Sequence, residues 1–472
     1  MLSSTAPRRA ATSGASIAGL LAARALAEHF DEVVLLERDA LPEDAAPRKG
    51  TPQAIHPHGL LARGQQAMEA LCPGFTAALL AQGAVSADIG LAVVLDVDRQ
   101  RLARRPVGFK GLAVSRLAIE AQIRRMVLGM PRVRAMTGVD VIEPVHEAGQ
   151  VRGVRWRARA GDLAPQVLDA ALVVDASGRG SRSPTWLAQW GYAPAPEERV
   201  EVGIAYASAN YRRDDAHAPP VGAVICPATS DLPRPAVLIA QEPDAEGRAR
   251  RTLVYGGYAG DHVTPNDEGL RERARDVASP ELQALVERGE RLTPIQRYHF
   301  PHSQRRRYER LTHFPAGFLV IGDALASFNP IYGQGMTVAA CEAELLRAQL
   351  ARDDGMVSAR RFFRAAARLI DTPWQLAVGS DLAIASVPGP RPLAVRVINA
   401  YVARLQRAAV HDAEVTAAVG EELPMVAAPP SLFAPGILWR VLWRGGRQAE
   451  AVTATPRDPQ PGFIVPTSSA LR

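Results

Sequence analysis

Four features follow one another in the stretch from residue 319 to residue 350. A buried apolar strand, 319–321, ends in Gly322 and Asp323, and the glycine-rich turn 330–336 then leads into a helix predicted over 337–350. A buried carboxylate at a strand end needs a partner, and glycines before a helix leave its first N–H groups open to a ligand. This order is hard to explain by packing alone, so it predicts a ligand-binding α/β unit.

A second glycine-rich turn lies near the N-terminus. The segment 14–19 reads GASIAG and is followed by a helix predicted over 17–29 and a strand over 32–37 that ends in Glu37. The glycines allow a tight turn, the helix N-terminus attracts a pyrophosphate, and Glu37 can accept from a ribose hydroxyl. Because Ser16 stands at the middle glycine position, a Gly/Ala-rich helix start without a ligand is the alternative.

A third turn follows the strand that ends at Asp175. The segment 173–182 reads VVDASGRGSR, so a buried strand runs directly into small, flexible and basic residues. Such a turn lets the backbone approach a flavin or nicotinamide chain closely, while an ordinary Ser/Gly loop is the alternative reading.

Predicted helices and strands alternate from residue 14 to about 191, which indicates a largely parallel sheet, whereas 200–300 has the pattern of an antiparallel unit. The strand and helix after 317 return to the first pattern, so the first domain is predicted to be discontinuous. We expect its first part at 1–192, a β-rich domain at 193–300, the completing segment at 301–356, a helical region at 357–449 and a disordered Pro/Thr-rich tail at 450–472.

The net charge of +6 comes almost entirely from scattered Arg, with only two lysines, so we expect no nucleic-acid partner. The densest basic run, 305–307, is predicted to be a solvated turn. Three widely spaced cysteines predict neither a disulfide framework nor a metal site and fit a reducing cytoplasm. The N-terminus lacks the long apolar core of a signal peptide, and no apolar stretch is long enough for a stable membrane insertion.

The three turns, in this order, resemble the class A FAD-dependent monooxygenases, the group that includes the aromatic hydroxylases and squalene epoxidase. The likeness covers roughly residues 14–374. Within the group, the segments 48–60 (RKGTPQAIHPHGL), 328–336 (FNPIYGQGM) and 371–374 (DTPW) are most similar to bacterial epoxidases of polyether polyketides. The resemblance implies a Rossmann-like FAD-binding domain (α/β), a β-sheet substrate domain (α+β) as in p-hydroxybenzoate hydroxylase, and a helical C-terminal region.

The resemblance also implies where the cofactor lies. Gly14, Ser16 and Gly19 would border the pyrophosphate, and Glu37 the adenosine ribose. Arg48 and Arg116 would reach the phosphates or the ribityl chain. Asp323 would bind the ribityl chain. Gly335 and Met336 would lie against the isoalloxazine. Further cofactor contacts are implied for Arg38, Pro330 and Gly333. His56 and His58 could face the ring or be structural, so no catalytic residue is assigned.

Three departures from the family pattern stand out. The expected first strand, 9–13, reads RAATS and lacks the Val/Ile run of a central parallel strand, so we expect either a weak strand, with a weaker hold on FAD, or an abnormal N-terminal sequence. Leu325 stands where many aromatic hydroxylases carry His, and Thr337 where many carry Asn. The last two changes argue against a typical phenol hydroxylase.

The resemblance implies an enzyme that uses NADPH or NADH as a transient co-substrate and O₂, through a C4a-hydroperoxyflavin. We expect epoxidation of an alkene in a large apolar polyketide or terpenoid, because this step needs no protein base. Aromatic hydroxylation, reduction of an isoprenoid double bond and a non-catalytic FAD-fold protein are the alternatives. A halogenase is disfavoured because no Trp-x-Trp-x-Ile-Pro motif occurs near Trp186 and Trp190.

The sequence also suggests a substrate wall and a surface helix. We expect the substrate between the β-rich unit and the turn 330–336, with apolar and aromatic residues of the β-rich unit around it: Ile204, Tyr206, Tyr211, Tyr255 and Tyr258. Only part of this set can face one side of a sheet. The segment 431–444 carries Trp and Arg at helical spacing and is expected to cover the protein's own core rather than rest on a membrane.

Overall fold

A computed structural model describes residues 7–161, 163–213, 222–277, 279–422 and 432–444. The strands, in chain order, are β1 Arg9–Ser13, β2 Glu32–Glu37, β3 Val85–Asp88, β4 Val93–Val97, β5 Gln100–Arg101, β6 Lys110–Ala113, β7 Val133–Thr137, β8 Val139–Glu147, β9 Gln150–Ala158, β10 Gln166–Asp169, β11 Leu172–Asp175, β12 Glu197–Arg212, β13 Ala223–Cys226, β14 Ala236–Gln241, β15 Arg250–Gly257, β16 Gln296–Arg306, β17 Phe318–Val320 and β18 Ala326–Ser327.

The α-helices alternate with these strands in the first part of the chain and dominate its end. They are α1 Ile17–Leu26, α2 Ala62–Leu71, α3 Phe75–Ala81, α4 Ile89–Ala92, α5 Arg116–Leu128, α6 Ser183–Gln189, α7 Asp267–Val277, α8 Pro280–Arg288, α9 Gly335–Arg352, α10 Ala359–Ala383, α11 Leu393–Ala409, α12 Ala413–Glu422 and α13 Pro435–Arg444.

The first sheet is parallel and has the order β17-β11-β1-β2-β7. A hydrophobic core joins this sheet to α1, α5, α9 and α10, so the segment after residue 317 does complete the first layer. Two small antiparallel sheets, β10-β9-β8 and β3-β6, are further parts of the described chain.

The strand β1 forms at the centre of the parallel sheet although it has no Val or Ile. Its backbone pairs with β2 on one side and with β11 on the other. Ala10 and Ala11 are 0 % exposed, because the larger apolar side chains come from the neighbouring strands and from α1. The strand therefore forms with a neighbour on each side, and the weaker hold on FAD stays a prediction.

The second sheet has eight strands in the order β18-β16-β12-β15-β14-β13-β4-β5. Most of it comes from the predicted β-rich stretch 193–300 and is antiparallel, but β4 joins by a parallel pairing with β13. The strands β4, β5 and β18 and the end of β16 lie outside 193–300, so the sheet draws on more of the chain than the predicted range.

The two faces of the large sheet separate the residues expected at the substrate. Tyr211 and Tyr255 pack with α7 and α8 on one face. Ile204, Tyr206 and Tyr258 pack on the other face, against the end of α10 and the turn that contains Ile331. The substrate was expected between this sheet and the turn 330–336. Only Ile204, Tyr206 and Tyr258 lie on the face of the sheet that packs against this turn.

The basic run 305–307 is not a solvated turn, so that prediction is wrong. Arg305 and Arg306 are 1 % and 7 % exposed at the end of β16. Arg305 donates to Asp371 of α10 at 2.7 Å, and Arg306 donates to the carbonyl of Ala324 at 2.6 Å. The run joins the large sheet to α10 because buried guanidinium groups need partners.

The C-terminal helices cover part of the large sheet and leave an apolar outer surface. In α13, Val441 is buried in a small core with Leu405 of α11, while Trp439 and Trp443 are 60 % and 65 % exposed. The helix therefore covers its own core with one side only. Residues 450–472 lie outside the described residues. Within the described chain, none of the helices combines the length and apolar character needed to cross a bilayer.

The central strand offers a direct test of buried polarity. The Oγ1 of Thr12 is buried without a hydrogen-bond partner among the described residues. We expect Thr12→Val to raise the free energy of unfolding by about 1 kcal/mol, because a buried hydroxyl without a partner costs at least that much. Urea unfolding measures the change.

Thr252 is the matched control. It is 1 % exposed in β15, and its Oγ1 donates to Asn210 at 2.6 Å. We expect Thr252→Val to lower the free energy of unfolding by about 1 kcal/mol. Equal losses in both variants would show that Thr12 is satisfied in solution.

Candidate functional site

A cavity of about 450 Å³ opens at the carboxyl ends of the parallel strands, a size typical of small-molecule sites. Eleven of the twelve residues expected at the cofactor line it: Gly14, Ser16, Glu37, Arg38, Arg48, Arg116, Asp323, Pro330, Gly333, Gly335 and Met336. The three glycine-rich turns, which are far apart in sequence, therefore meet around one space. This location follows the general rule for ligands of parallel α/β sheets.

Gly19 does not line the cavity, and it acts by packing. A Cβ at this position would lie 1.9 Å from the carbonyl oxygen of Gly14, so any side chain would push α1 away from the turn. Gly14 itself has φ +100°, a conformation that favours glycine. Both glycines set the position of the N-terminus of α1, whose first residues, Ile17 and Ala18, line the cavity.

Glu37 closes the turn before α1. Its Oε2 accepts from the N–H of Ala15 at 2.8 Å and its Oε1 from the N–H of Asp39 at 3.1 Å. The guanidinium of Arg48 lies 3.1 Å from the same carboxylate. Glu37 is 5 % exposed, so its predicted role at a ribose hydroxyl uses the remaining acceptor capacity of a carboxylate that already holds the turn.

Glu120 of α5, which the sequence analysis missed, contacts the polar and charged side chains around the N-terminus of α1. It accepts from the hydroxyl of Ser16 at 2.8 Å and from Arg48 at 2.8 Å, and it pairs with Arg116 at 3.2 Å. Burial alone would raise the pKa of Glu120, but these arginines hold it below its ordinary value. Helical spacing from Arg116 was the signal that could have identified it.

This cluster changes the expectation for Arg48. Burial would lower the pKa of its guanidinium, but Glu120, Glu37 and Asp39 raise it above the ordinary value. Arg48 lines the cavity, yet its donors are directed to carboxylates and to the carbonyl of Ala15. Arg116 differs because its Nη1 is buried without a partner among the described residues, which leaves one donor for a ligand.

The turn after β11 is built around Asp175. Its carboxylate accepts from the N–H of Ser177 at 2.9 Å, from the hydroxyl of Ser181 at 2.6 Å and from the hydroxyl of Ser183. Asp175 thus fixes the turn, and Gly178 presents its backbone to the cavity, since a Cβ there would meet no atom within 4 Å.

Arg179 extends from this turn over the ring of Phe300, with its guanidinium carbon 4.0 Å from the ring centroid. One of its nitrogens donates to the carbonyl of His302 at 2.9 Å, and Nη1 is buried without a partner among the described residues. Burial lowers the pKa of Arg179. Its place at the cavity was not predicted, although the sequence analysis noted basic residues in this turn.

Asp323 lies at the cavity wall near the N-terminus of α9, with no hydrogen bond to its carboxylate among the described residues. Enclosure by the protein raises the pKa of Asp323, and the charges of Arg179 and Arg116 act in the opposite direction. Gly335 is the first residue of α9, and a Cβ there would lie 3.9 Å from the Asp323 carboxylate. An acceptor and a helix N-terminus therefore face the same space.

Glu342 lies behind Asp323 and was also missed. It is 0 % exposed on α9, its Oε2 accepts from the N–H of Gly322 at 2.6 Å, and its Oε1 has no partner among the described residues. Burial raises the pKa of Glu342 to about 8, the Gly322 hydrogen bond opposes this, and the charge of Asp323 adds to it. Glu342 holds the Gly322-Asp323 turn from within the core.

His56 and His58 have different surroundings, and only His58 lines the cavity. His56 is 5 % exposed and its Nδ1 shares a hydrogen bond with the hydroxyl of Ser208 at 2.7 Å, while burial lowers its pKa to about 4. His58 lines the cavity, and burial together with the charge of Arg116 lowers its pKa to about 3. Both rings are therefore neutral near pH 7, and His56 has a structural environment.

The arrangement suits a large ligand with an anionic part and several hydroxyl groups. Two helix N-termini, those of α1 and α9, open on one cavity, and Arg116 and Arg179 each keep a buried donor that has no partner in the described part of the chain. Asp323 keeps an acceptor. The apolar wall between them is formed by the half-buried Tyr298 of β16 and by four buried side chains: Phe300, Phe328, Met336 and Ala339. The described residues contain no cluster of three or more His, Cys, Asp or Glu side chains that could hold a metal ion.

Protein Rv3254 of Mycobacterium tuberculosis is 33 % identical to this chain over 384 residues, which are 78 % of this chain and 79 % of that protein. The chain belongs to the family of Protein Rv3254. No protein-family model matches it.

Solved structures place the Rv3254-family chain in a known fold. The flavin-dependent brominase Bmp2 has a TM-score of 0.61 at 18 % identity and covers 88 % of this chain and 96 % of its own. PqsL of Pseudomonas aeruginosa, a probable FAD-dependent monooxygenase, has a TM-score of 0.58 at 16 % identity, with 80 % and 97 % covered. The oxygenase of 2-methyl-3-hydroxypyridine-5-carboxylic acid has a TM-score of 0.56 at 17 % identity, with 80 % and 91 % covered. The predicted p-hydroxybenzoate hydroxylase-like fold is confirmed, and the epoxidase subgroup stays a prediction.

The buried carboxyl of Glu342 makes stability depend on pH. Its folded pKa of about 8 lies above the ordinary value of 4.5, so ionisation opposes folding. Its contribution is therefore complete below pH 4.5 and is lost as pH rises through about 8. We expect Glu342→Gln to gain stability relative to the wild type by a few kcal/mol between pH 5 and pH 8.5, as measured by urea unfolding.

Glu120→Gln is the matched control because the pKa of Glu120 is lowered instead. Glu120 is ionised across this range in both states, so its loss should lower stability by an amount that does not change with pH. A difference between wild type and Glu342→Gln that stays constant from pH 5 to pH 8.5 would contradict the assignment of Glu342.

Proposed function

We propose that the chain is an FAD-dependent monooxygenase that binds FAD in the cavity at the carboxyl ends of the parallel strands. The observation that carries the proposal is the convergence of two helix N-termini with Arg116, Arg179 and Asp323. Each of the two arginines has a buried Nη1 with no partner among the described residues, and the half-buried Asp323 carboxylate accepts no hydrogen bond from them. Such groups cost free energy unless a ligand satisfies them. The fold shared with the flavin-dependent brominase and PqsL supports this reading.

The ADP part would lie at the N-terminus of α1. Ser16 and Gly14 border the space, the helix N–H groups and Arg116 favour an anionic pyrophosphate, and Glu37 and Arg38 lie at the ribose end. Glu120 neutralises part of the positive charge, so the pyrophosphate would meet a preformed network of hydrogen bonds.

The flavin part would lie between the turns of Gly178 and Gly333. Asp323 would accept from a ribityl hydroxyl, and the N–H groups of Gly335 and Met336 would face the pyrimidine edge of the ring. Pro330 and Gly333 complete that wall. The chemistry that bound FAD would supply is the uptake of electrons from NADPH or NADH and the activation of O₂. Phe300 and Phe328 exclude water from this end of the cavity because both are buried.

We infer that the substrate is an alkene of a large polyketide or terpenoid and that the product is an epoxide. The apolar part of the cavity wall supports this, because Tyr298, Phe300 and Phe328 line it. Each buried CH₂ of a hydrocarbon chain contributes about 0.8 kcal/mol to binding at such a surface. His56 and His58, neutral near pH 7, supply no strong base for a phenol.

Asp323 tests the cofactor site. We expect Asp323→Ala to weaken FAD binding by roughly 10- to 100-fold, the equivalent of one hydrogen bond to a charged group. The measurement is titration of the apoprotein with FAD, followed by flavin absorbance and fluorescence.

Asp353→Ala is the control, because Asp353 follows the opposite end of α9, about 27 Å from Gly335 by the rise of the helix. Its FAD affinity should equal that of the wild type. A wild-type protein that stays colourless with added FAD would refute the cofactor proposal, and unchanged affinity in Asp323→Ala would refute the role of Asp323 alone.

The substrate class is tested by turnover. We expect alkenes of the polyketide or terpenoid type to accelerate NADPH oxidation with matching O₂ consumption and to appear as epoxides. Stimulation by hydroxybenzoates but not by polyenes would establish aromatic hydroxylation instead. NADPH oxidation that reduces a double bond of the substrate without O₂ uptake would establish a reductase.

A further inference from the structure

A buried polar network joins the large sheet, α10 and the turn that forms one wall of the cavity. Asp381, near the C-terminus of α10, is 0 % exposed, and its Oδ1 accepts from Asn329 at 2.8 Å, from Tyr332 at 2.8 Å and from Tyr258 at 3.1 Å. Tyr206 donates to the amide oxygen of Asn329 at 2.9 Å. Three side chains, from the large sheet and from the cavity turn, thus donate to one carboxyl group, and Tyr206 is connected to it through Asn329.

The carboxyl group is satisfied on one side only. Three donors converge on Oδ1, while Oδ2 is buried and has no partner among the described residues. No Arg, Lys or His of the described chain forms an ion pair with Asp381. Arg391, the nearest cation along the chain, donates to the carbonyls of Leu382 and Ile384 at the end of α10. Asp381 is therefore an acid held in the interior without a counterion.

The titratable groups that face this carboxyl are tyrosines. Tyr206 and Tyr258 come from the large sheet and Tyr332 from the cavity turn, and burial raises the pKa of all three. His56 lies beyond Tyr206, with ring centroids 6.4 Å apart, and burial lowers its pKa. Near pH 7 these neighbours are neutral, so the charge of Asp381 is the one that changes.

The network reaches the cavity through Asn329. Asn329 lines the cavity, and its side-chain oxygen accepts from the N–H of Ile331 at 3.3 Å, which caps the short 3-10 turn Pro330–Tyr332. Gly333, with φ +67°, ends that turn and also lines the cavity. The conformation of this wall is therefore set by hydrogen bonds that end at Asp381.

We propose that Asp381 is a proton-dependent latch for the cavity wall 329–333: the neutral acid holds the turn closed, and loss of its proton lets the turn open. The reasoning rests on solvation. An uncompensated carboxylate is costly in this interior, and opening of the turn exposes it to water, so ionisation favours the open state. No part of the latch requires a bound cofactor, and only its effect on FAD rests on the proposed function.

The direction of the pH dependence follows from linkage. Burial raises the pKa of Asp381 from 3.8 to about 6, although hydrogen bonds from Asn329, Tyr332 and Tyr258 oppose the shift. A raised folded pKa means that the closed state is favoured most below pH 3.8 and loses this advantage as pH rises through about 6. The wall is thus closed in acid and opens more readily near neutral pH.

Hydrogen–deuterium exchange of the full-length chain tests the latch. After correction for intrinsic exchange rates, we expect the opening equilibrium of peptides that span 329–333 to increase roughly 100-fold between pH 4 and pH 7.5, with a midpoint near pH 6. In Asp381→Asn, which keeps the acceptor oxygen but cannot ionise, the opening equilibrium should not change with pH.

Two further variants keep the test decisive. Tyr258→Phe removes one donor to the carboxylate, so it should move the midpoint to higher pH. Asp412→Asn is the matched control: Asp412 is a buried acid between α11 and α12 with its pKa lowered, and the midpoint near pH 6 should remain in that variant. Exchange in the wild type that does not change with pH, or a midpoint that survives in Asp381→Asn, would overturn the latch.

FAD titrations at pH 5 and pH 7.5 separate this inference from the proposed function. If FAD binds, its association rate should rise with pH in the wild type and be pH-independent in Asp381→Asn. If FAD binds no variant at either pH, the cofactor proposal fails, while the exchange experiment still decides the latch.

Discussion

The pairing of β1 between β2 and β11 is the constraint on which the site depends. These parallel ladders align Ser13, Asp175 and, through β17, the segment that ends at Asp323 along one edge of the sheet. Each strand then delivers a different chemical group: a helix N-terminus, a backbone turn and a carboxylate. The turn after β1 is equally constrained, because α1 approaches Gly14 so closely that Gly19 cannot carry a side chain.

Charge balance inside the site follows from the same geometry. Arg48 and Arg116 lie near the N-terminus of α1, where the helix dipole already favours anions, so positive charge accumulates there. Glu120 compensates for it and also orients Ser16. At the other end, Asp323 and Glu342 lie close to each other, and this proximity disfavours two negative charges. The end of the cavity near Arg48 and Arg116 is therefore positive. At the other end lie Asp323 and, behind it, Glu342, two carboxyl groups with raised pKa values.

The sequence predicted the parts of the site that depend on local signals. The turns that contain Gly14, Asp175 and Gly333 were recognised because each has glycines at positions that need them, and the predicted bounds of β2, 32–37, agree with the structure. Glu120 and Asp381 were missed because their roles arise from contacts with residues 104 and 52 positions away. Composition did not show how β1 is held in place: it pairs on both sides, and the larger apolar side chains of its neighbours surround its alanines.

The helical region after residue 356 supports the cavity wall from behind, although the cavity lining itself ends at Ala339 among the described residues. Trp374 of α10 contacts Phe328 with ring centroids 6.0 Å apart, and Asp371 pairs with Arg305 of the large sheet. Two turns further along the helix, Asp381 holds Asn329. One face of α10 therefore supports both ends of the segment 328–332, and a rotation of this helix would move the cavity wall. The region that looks most peripheral in sequence thus determines how rigidly the site is built.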